Sequence, residues 1–241
     1  MAQPCKTKAR RTTKTADTME MSGFISVITT CKGRLHHLRQ TLPGWMAQEG
    51  GNYEIIVVDY NDPNDCFSYV ESLCDPMVRA VRANNDDPFF NLSKARNIGA
   101  MAISEKTDVI LFVDADTIMT NNAFINYHKG KVLNPGNFLC GWANGSMNLG
   151  AGASGGCMVW RADFFSVRGY NELANGWGYE DVEFYERLER IGRQQTAFHN
   201  GLDSIQHSDE ERVMFYRKKN IHVTSNGNLL TMKNNFQSSI A

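Results

Sequence analysis

The chain has 241 residues and a mass of 27.1 kDa, enough for one large α/β domain or two small ones. At 42% hydrophobic and 21% charged it is composed like a folded globular protein, which excludes a disordered tail, a collagen-like fibre and a mini-protein. Its 25 Lys and Arg against 26 Asp and Glu leave a net charge of −1, without the basic excess of a nucleic-acid binder, so nucleic acid is not an expected partner.

The first 22 residues carry Lys6, Lys8, Arg10, Arg11 and Lys14 among many threonines, and read as a disordered basic arm without the apolar core of a secretory signal. Like charges of this kind can attract anionic lipid, which gives the arm a route to peripheral membrane contact. The central apolar run Val109–Val113 falls far short of the roughly 18–20 residues that cross a bilayer, and no transmembrane segment is expected. Cys5, Cys31, Cys66, Cys74, Cys140 and Cys157 show neither a CxxC pair nor metal-finger spacing; they read as reduced thiols of a cytoplasmic protein.

Residues 24–30 form a β-branched apolar run, followed by a polar turn (Cys31-Lys32-Gly33-Arg34) and by Leu35, Leu38 and Leu42 at helical spacing. Residues 53–59 repeat the strand and end on Asp59, with Asn61-Asp62-Pro63-Asn64 as a turn. A helix over about 66–73 and a strand over 78–82 come next. Ser93 is expected to cap a helix reaching about Ser104, before a buried strand over 109–113 of the kind found in parallel sheets covered on both faces. The alternation predicts right-handed crossovers and a doubly wound sheet, whose ligands gather at the carboxyl ends of strands. The first strand is not followed by G-x-G-x-x-G, and G-x-x-x-x-G-K-[ST] is absent, so neither dinucleotide redox nor P-loop chemistry is supported. The stretch 141–156 holds six glycines and reads as a loop beside the site, either a lid or a static turn series. Strand-like stretches over 157–160 and 194–198 flank a helix over 182–191.

Three places carry chemistry. Asp114-Ala115-Asp116 follows the buried strand, and alternation along an extended backbone turns both carboxylates to one side, where they could share a hard cation. Gly176-Trp177-Gly178-Tyr179-Glu180-Asp181 joins a Gly-rich turn, an aromatic wall for a sugar ring and two carboxylates at a helix start, where the dipole keeps a base ionised. His207 lies beyond a polar interval; alone, a histidine is more often structural than a ligand.

FVDAD after a buried strand, then GWGYEDVEFYERL, then IQHSDE, resemble the GT-A glycosyltransferases, particularly the carboxyl-terminal half of β-1,4-galactosyltransferases and bacterial chondroitin-polymerase-type enzymes. FISVITTCKGR, YEIIVVDYND and LSKARNIGA are similar to family 2 glycosyltransferases, and the likeness covers about residues 23–210. It implies one GT-A domain over 23–241, a Rossmann-like mixed sheet flanked by helices, with a nucleotide-sugar half (23–120) and an acceptor and catalytic half (121–241). By the same resemblance, Thr30 and Arg34 line the nucleotide pocket, Asp59 contacts uracil or ribose, and Arg96 lies near the diphosphate. Asp114 is a ribose- or metal-side carboxylate, Asp116 and His207 bind the metal, Asp181 is the catalytic base and Glu180 holds donor or acceptor hydroxyls. Tyr179 departs from the small residue often found inside the motif, and Ser204 stands where galactosyltransferases carry a companion Met ligand.

The expected reaction is inverting transfer of a hexose or N-acetylhexosamine from a UDP-sugar to a hydroxyl of a glycan or other acceptor. Mn²⁺ or Mg²⁺ is the expected cofactor, with the histidine ligand favouring Mn²⁺. Competing readings are a retaining GT-A transferase of the polypeptide N-acetylgalactosaminyltransferase kind, a nucleotidyltransferase, and a non-catalytic nucleotide-sugar-binding module.

Overall fold

The computed structural model describes residues 23–84, 86–132, 136–143, 146–147, 155–174, 176–220 and 227–228; the arm expected over 1–22 and most of the glycine-rich stretch lie outside the described residues. Strands and helices first alternate strictly: β1 (Phe24–Cys31), α1 (Leu35–Met46), β2 (Tyr53–Asp59), α2 (Cys66–Ser72), β3 (Val78–Arg82), α3 (Leu92–Met101) and β4 (Thr107–Phe112). Then follow β5 (Thr117–Met119), α4 (Phe124–Val132), β6 (Asn137–Cys140), a short pair β7 (Trp142–Ala143) and β8 (Ser146–Met147), and β9 (Cys157–Trp160). The last elements are α5 (Arg161–Ser166), α6 (Glu180–Arg190), β10 (Gln194–Ala197), β11 (Leu202–Ser204) and α7 (Asp209–Val213).

Seven strands make one sheet in the order β10-β6-β9-β4-β1-β2-β3. The strands β3, β2, β1 and β4 are parallel, as the alternation predicts. Beyond them β9 runs antiparallel to both β4 and β6, so the sheet is mixed, as the family resemblance implies. The chain leaves β6 at Cys140 and re-enters opposite it at Cys157, a hairpin-like return that only an antiparallel pair permits.

Both faces of this sheet are apolar, with a period of two. Val27, Ile55, Val57, Val109 and Leu111 meet Leu35, Leu38, Leu42 and Trp45 of α1, with Val70 and Phe124, in one cluster. Ile28, Ile56, Val58, Ile110 and Phe112 meet Ala95, Phe164, Phe184 and Leu188 in the other. A strand buried on both faces needs helices above and below it, so the three-layer α/β/α architecture follows from these alternations. Gly99 brings α3 directly onto β1, since a Cβ there would lie 2.4 Å from Cγ2 of Ile28.

Helix α3 corrects one expectation. Asn91, not Ser93, is its N-cap, with the Asn91 side chain accepting from the Lys94 N–H at 2.9 Å. Ser93 is buried inside the first turn, and the helix ends at Met101 rather than near Ser104. Among the described residues no disulfide joins Cys31, Cys66, Cys74, Cys140 and Cys157, of which Cys74 is exposed and the others are buried. Among the described residues no helix is long and apolar enough to cross a membrane.

Candidate active site

The carboxyl ends of β1 and β4 and the amino end of α6 open onto one cleft of about 920 Å³. Thr30, Arg34, Arg96, Asp114, Asp116, Trp177, Glu180, Asp181 and His207 all line it.

The Asp-Ala-Asp segment is held from below by α1. Thr41 Oγ1 donates to the Ala115 carbonyl at 2.8 Å and Trp45 Nε1 to the Thr117 carbonyl at 2.9 Å. The backbone turns here, closed by Thr117 N–H on the Asp114 carbonyl at 2.9 Å, so strand alternation does not govern the two carboxylates. They diverge to different partners. Asp114 Oδ1 accepts from Arg96 Nη2 at 3.0 Å, whereas Asp116 Oδ2 lies 2.8 Å from His207 Nε2. Burial raises the Asp116 pKa, with Asp114 adding to the effect and His207 opposing it.

His207 arrives by a pairing that spans 91 residues of chain. β11 pairs antiparallel with β5, Ser204 opposite Thr117, and Ile205 N–H donates to the Asp116 carbonyl at 2.9 Å. His207 Nδ1 is 3.1 Å from the Ser208 carbonyl, which calls for a proton on Nδ1. In the neutral tautomer the Nε2 lone pair then faces a carboxylate oxygen, an arrangement satisfied by a proton or a cation between them. An oxygen and an imidazole nitrogen offered together fit a divalent first-row metal.

Across the cleft, Gly176 (φ +115°), Gly178 (φ +94°) and Tyr179 (φ +71°) bend the chain into α6. Tyr179 holds a left-handed conformation that costs an L-residue roughly 1–2 kcal/mol. Glu180, Asp181 and Glu183 then fill the first turn of α6, where the dipole favours anions. Trp177 is half-buried, with the Arg212 guanidinium 5.3 Å from its ring centre. Asp181 Oδ1 accepts from Val182 N–H at 2.8 Å. Burial raises the Asp181 pKa against the opposing pull of Arg96. Burial, then the neighbouring Asp181 charge, push Glu180 up to about 7.

Arg96 joins the two sides. Only 2% exposed, it reaches Asp114 and the Gly155 carbonyl through Nη2, while Nη1 lies 3.6 Å from Glu180 Oε1. Arg96 Nη1 and Glu180 Oε2 are buried without a hydrogen-bond partner among the described residues, donor and acceptor capacity that water or substrate hydroxyls can take up. Gly155 permits this approach, because a Cβ there would fall 2.6 Å from Asp114 Oδ2.

Asp59, which the resemblance puts at uracil or ribose, has both carboxylate oxygens engaged by backbone N–H groups. Its Oδ1 accepts from Asp62 N–H at 2.7 Å and its Oδ2 from Phe67 N–H at 3.1 Å, and it does not line the cleft. It braces the loop after β2, whose Asp62 in turn accepts from the Gly33 N–H. Lys32, which no motif singled out, does line the cleft. Its Nζ donates to the Tyr60 carbonyl at 3.2 Å, and burial lowers its pKa. Its place in the polar turn beside Thr30 and Arg34 was the one available signal.

Known proteins match this arrangement in two segments. A family profile described as glycosyltransferase like family 2 matches residues 27–134, and one described as N-terminal domain of galactosyltransferase matches 146–211. No curated protein sequence is significantly similar. Among solved structures, Staphylococcus aureus TarS superposes with TM-score 0.61 at 13% identity, over 78% of this chain and 38% of that one. A Drosophila β-1,4-galactosyltransferase 7 in complex with manganese, UDP-Gal and xylobiose gives 0.52 at 18% identity, over 76% and 71% of the two chains. A Pyrobaculum calidifontis mannosyltransferase with GDP-Man and Mn²⁺ gives 0.61 at 12%, over 78% and 60%. The chain thus spans well under half of full TarS. The superposed structures show that this chain has the fold of the GT-A glycosyltransferases, and the two glycosyltransferase family models match it in successive segments.

Proposed function

We propose that this chain is a metal-dependent inverting glycosyltransferase that moves a hexose or N-acetylhexosamine from a UDP-sugar to an acceptor hydroxyl of a glycan. The observation that carries the reading is the meeting of Asp116 and His207, 2.8 Å apart, with Asp181 and Glu180 in a single cleft. The titles of the similar structures support the donor class: TarS holds UDP-GlcNAc, and the galactosyltransferase holds manganese, UDP-Gal and xylobiose.

Asp116 and His207 would hold Mn²⁺, or Mg²⁺, with Asp114 on its donor side. When bound, the ion neutralises the diphosphate and assists its departure. Thr30, Arg34 and Lys32 line the nucleotide end, and Trp177 offers a flat apolar wall to the sugar. Asp181 takes the acceptor hydroxyl proton as that oxygen bonds to the anomeric carbon. The bond from that carbon to UDP breaks, its electron pair leaves on the diphosphate, and the configuration inverts. Arg96, fixed between Asp114 and Glu180, keeps the two carboxylate groups in register.

One observation favours a second assignment within this mechanism. Glu180, raised to about 7, is poised in the range suited to a general base at neutral pH, which would exchange the roles of Glu180 and Asp181. The pH–rate profiles of Asp181→Asn and Glu180→Gln separate the two.

UDP release measured over a panel of UDP-sugars and GDP-mannose, with and without Mn²⁺, tests the whole reading. Metal-dependent release from a UDP-sugar that Asp116→Ala abolishes, with an inverted product anomer by NMR, is the expected result. Equal, metal-independent release by wild type and variant would reject it, and retained configuration would remove Asp181 as base.

A further inference from the structure

Beside the cleft lies a second set of metal-binding side chains that the proposed reaction does not use. His36 and His37 open α1, and Glu211 sits in α7, 175 residues further along the chain from His36. His36 Nε2 lies 3.2 Å from Glu211 Oε1 and His37 Nε2 lies 3.6 Å from the same oxygen. The three groups each offer a ligand atom within 4.8 Å of the others. In a tetrahedral zinc site with bonds of about 2.0–2.1 Å, neighbouring ligand atoms stand about 3.3 Å apart. The two nitrogen–oxygen separations are therefore edges of such a tetrahedron.

We propose that His36, His37 and Glu211 form a binding site for zinc or a similar late first-row divalent metal, independent of the donor-site metal. Two imidazoles and one carboxylate suit such an ion and do not suit Mg²⁺. The side chain of His36 is 56% exposed, and a shallow cavity lined by Gly33, His36, Asn64 and Glu211 opens onto it. The ion has an entry path, and water can supply a fourth ligand. His37 contributes from a buried position, its side chain 5% exposed, so the site is anchored on one side and open on the other.

One group competes for the position. Arg34 Nη1 donates to Glu211 Oε1 and lies 3.3 Å from His37 Nδ1. A guanidinium has no acceptor capacity, so His37 Nδ1 accepts, and the imidazole there is neutral. A divalent ion replaces this guanidinium in charge at the same oxygen. The displaced Arg34 already lines the main cleft, where an anionic diphosphate would receive it. Metal uptake at this second site would thereby hand a cation to the donor pocket.

The test separates the two sites, because His37 stacks on His207 with ring centres 5.6 Å apart. The full chain carrying Asp116→Asn and His207→Gln is stripped with chelator and titrated with Zn²⁺ by calorimetry, and with Co²⁺ by visible absorption. Expected are one bound equivalent, a tetrahedral Co²⁺ band, and an affinity that His36→Gln or Glu211→Gln, each added to that background, lowers at least about 10-fold. Both added changes are at accessible side chains and leave the buried His37 in place. Absence of Zn²⁺ uptake by the doubly substituted chain, or uptake that both further substitutions leave unchanged, would overturn the proposal. UDP-sugar transfer is read separately on the chain with Asp116 and His207 intact, so failure of this second site leaves the proposed reaction standing.

Discussion

The two halves of the cleft are built by different means. On the proposed nucleotide side, Thr30 and Asp114 stand at or just beyond the ends of parallel strands whose register is fixed over long runs, such as Ile25–Cys31 against Tyr53–Asp59. The sheet positions their backbone. On the proposed acceptor side, Trp177, Glu180 and Asp181 are aimed by three positive-φ residues, Gly176, Gly178 and Tyr179, and His207 by a three-residue strand pair. One side inherits its precision from a buried sheet, and the other holds it through turns. The first should tolerate substitution of surrounding residues, and the second should respond to small local changes.

The largest expected effect lies on the turn-built side. Asp181→Asn should lower kcat by about 10²–10⁴-fold with the fold intact by circular dichroism; full activity would break the assignment of the base to that half. Next is the residue joining the halves. Arg96→Met leaves the Glu180 carboxyl buried without its cation and should destabilise the chain by about 3 kcal/mol, at the lower end for a broken buried pair because Asp114 is partly solvated. Denaturant unfolding measures it, and a change below about 1 kcal/mol would mean that the halves do not depend on this bridge.

A pH dependence follows from Glu180. Its folded pKa, about 7, lies above the ordinary 4.5, so folding takes up a proton between those values. Its contribution to stability is complete below about 4.5 and is lost as pH rises through 7. Glu180→Gln should therefore gain on wild type by at most about 3 kcal/mol between pH 4.5 and 8, read as a widening gap in Tm. A gap independent of pH would assign the burial penalty elsewhere. The smallest effect concerns the seam between the start of α3 and the segment before α6: Asn91→Ala removes the α3 cap and the donation from Asn91 Nδ2 to the Glu172 carbonyl at 2.9 Å, and should cost about 1 kcal/mol. If kcat falls with it, the seam also tunes the site.

The same contrast decides what was legible in the sequence. The bounds expected for the second and third strands match the observed Tyr53–Asp59 and Val78–Arg82, because β-branched runs bounded by turns carry a local signal. The expected cap at Ser93 missed by two residues, since Asn91 lies in a polar-aromatic stretch without helical period. The partnership of Asp116 with His207 had no local signal; it depends on a strand pair formed across most of the second half. Arg96, expected near the diphosphate, lines the cleft between Asp114 and Glu180, and its burial had no local signal because burial of an arginine is set by what closes over it. Lys32 was hidden by its neighbours Thr30 and Arg34.

The β5–β11 pair also has a consequence for the order of folding. Residues 24–112 contain the parallel set β1 to β4, in which β1 with β2 and β2 with β3 pair over short separations and β1 pairs with β4 across the whole stretch, Ile28 opposite Phe112. Asp116 meets His207 only after a 91-residue loop has closed, an entropic step of about 4 kcal/mol on the logarithmic scale of loop closure. Because residues 24–112 precede His207 in the chain, the parallel set can assemble during synthesis while Asp116 still lacks its partner, so in the proposed reading a nascent chain offers a strand-end carboxylate before the metal-binding pair is complete. On that reading the site is completed later than the sheet that carries it.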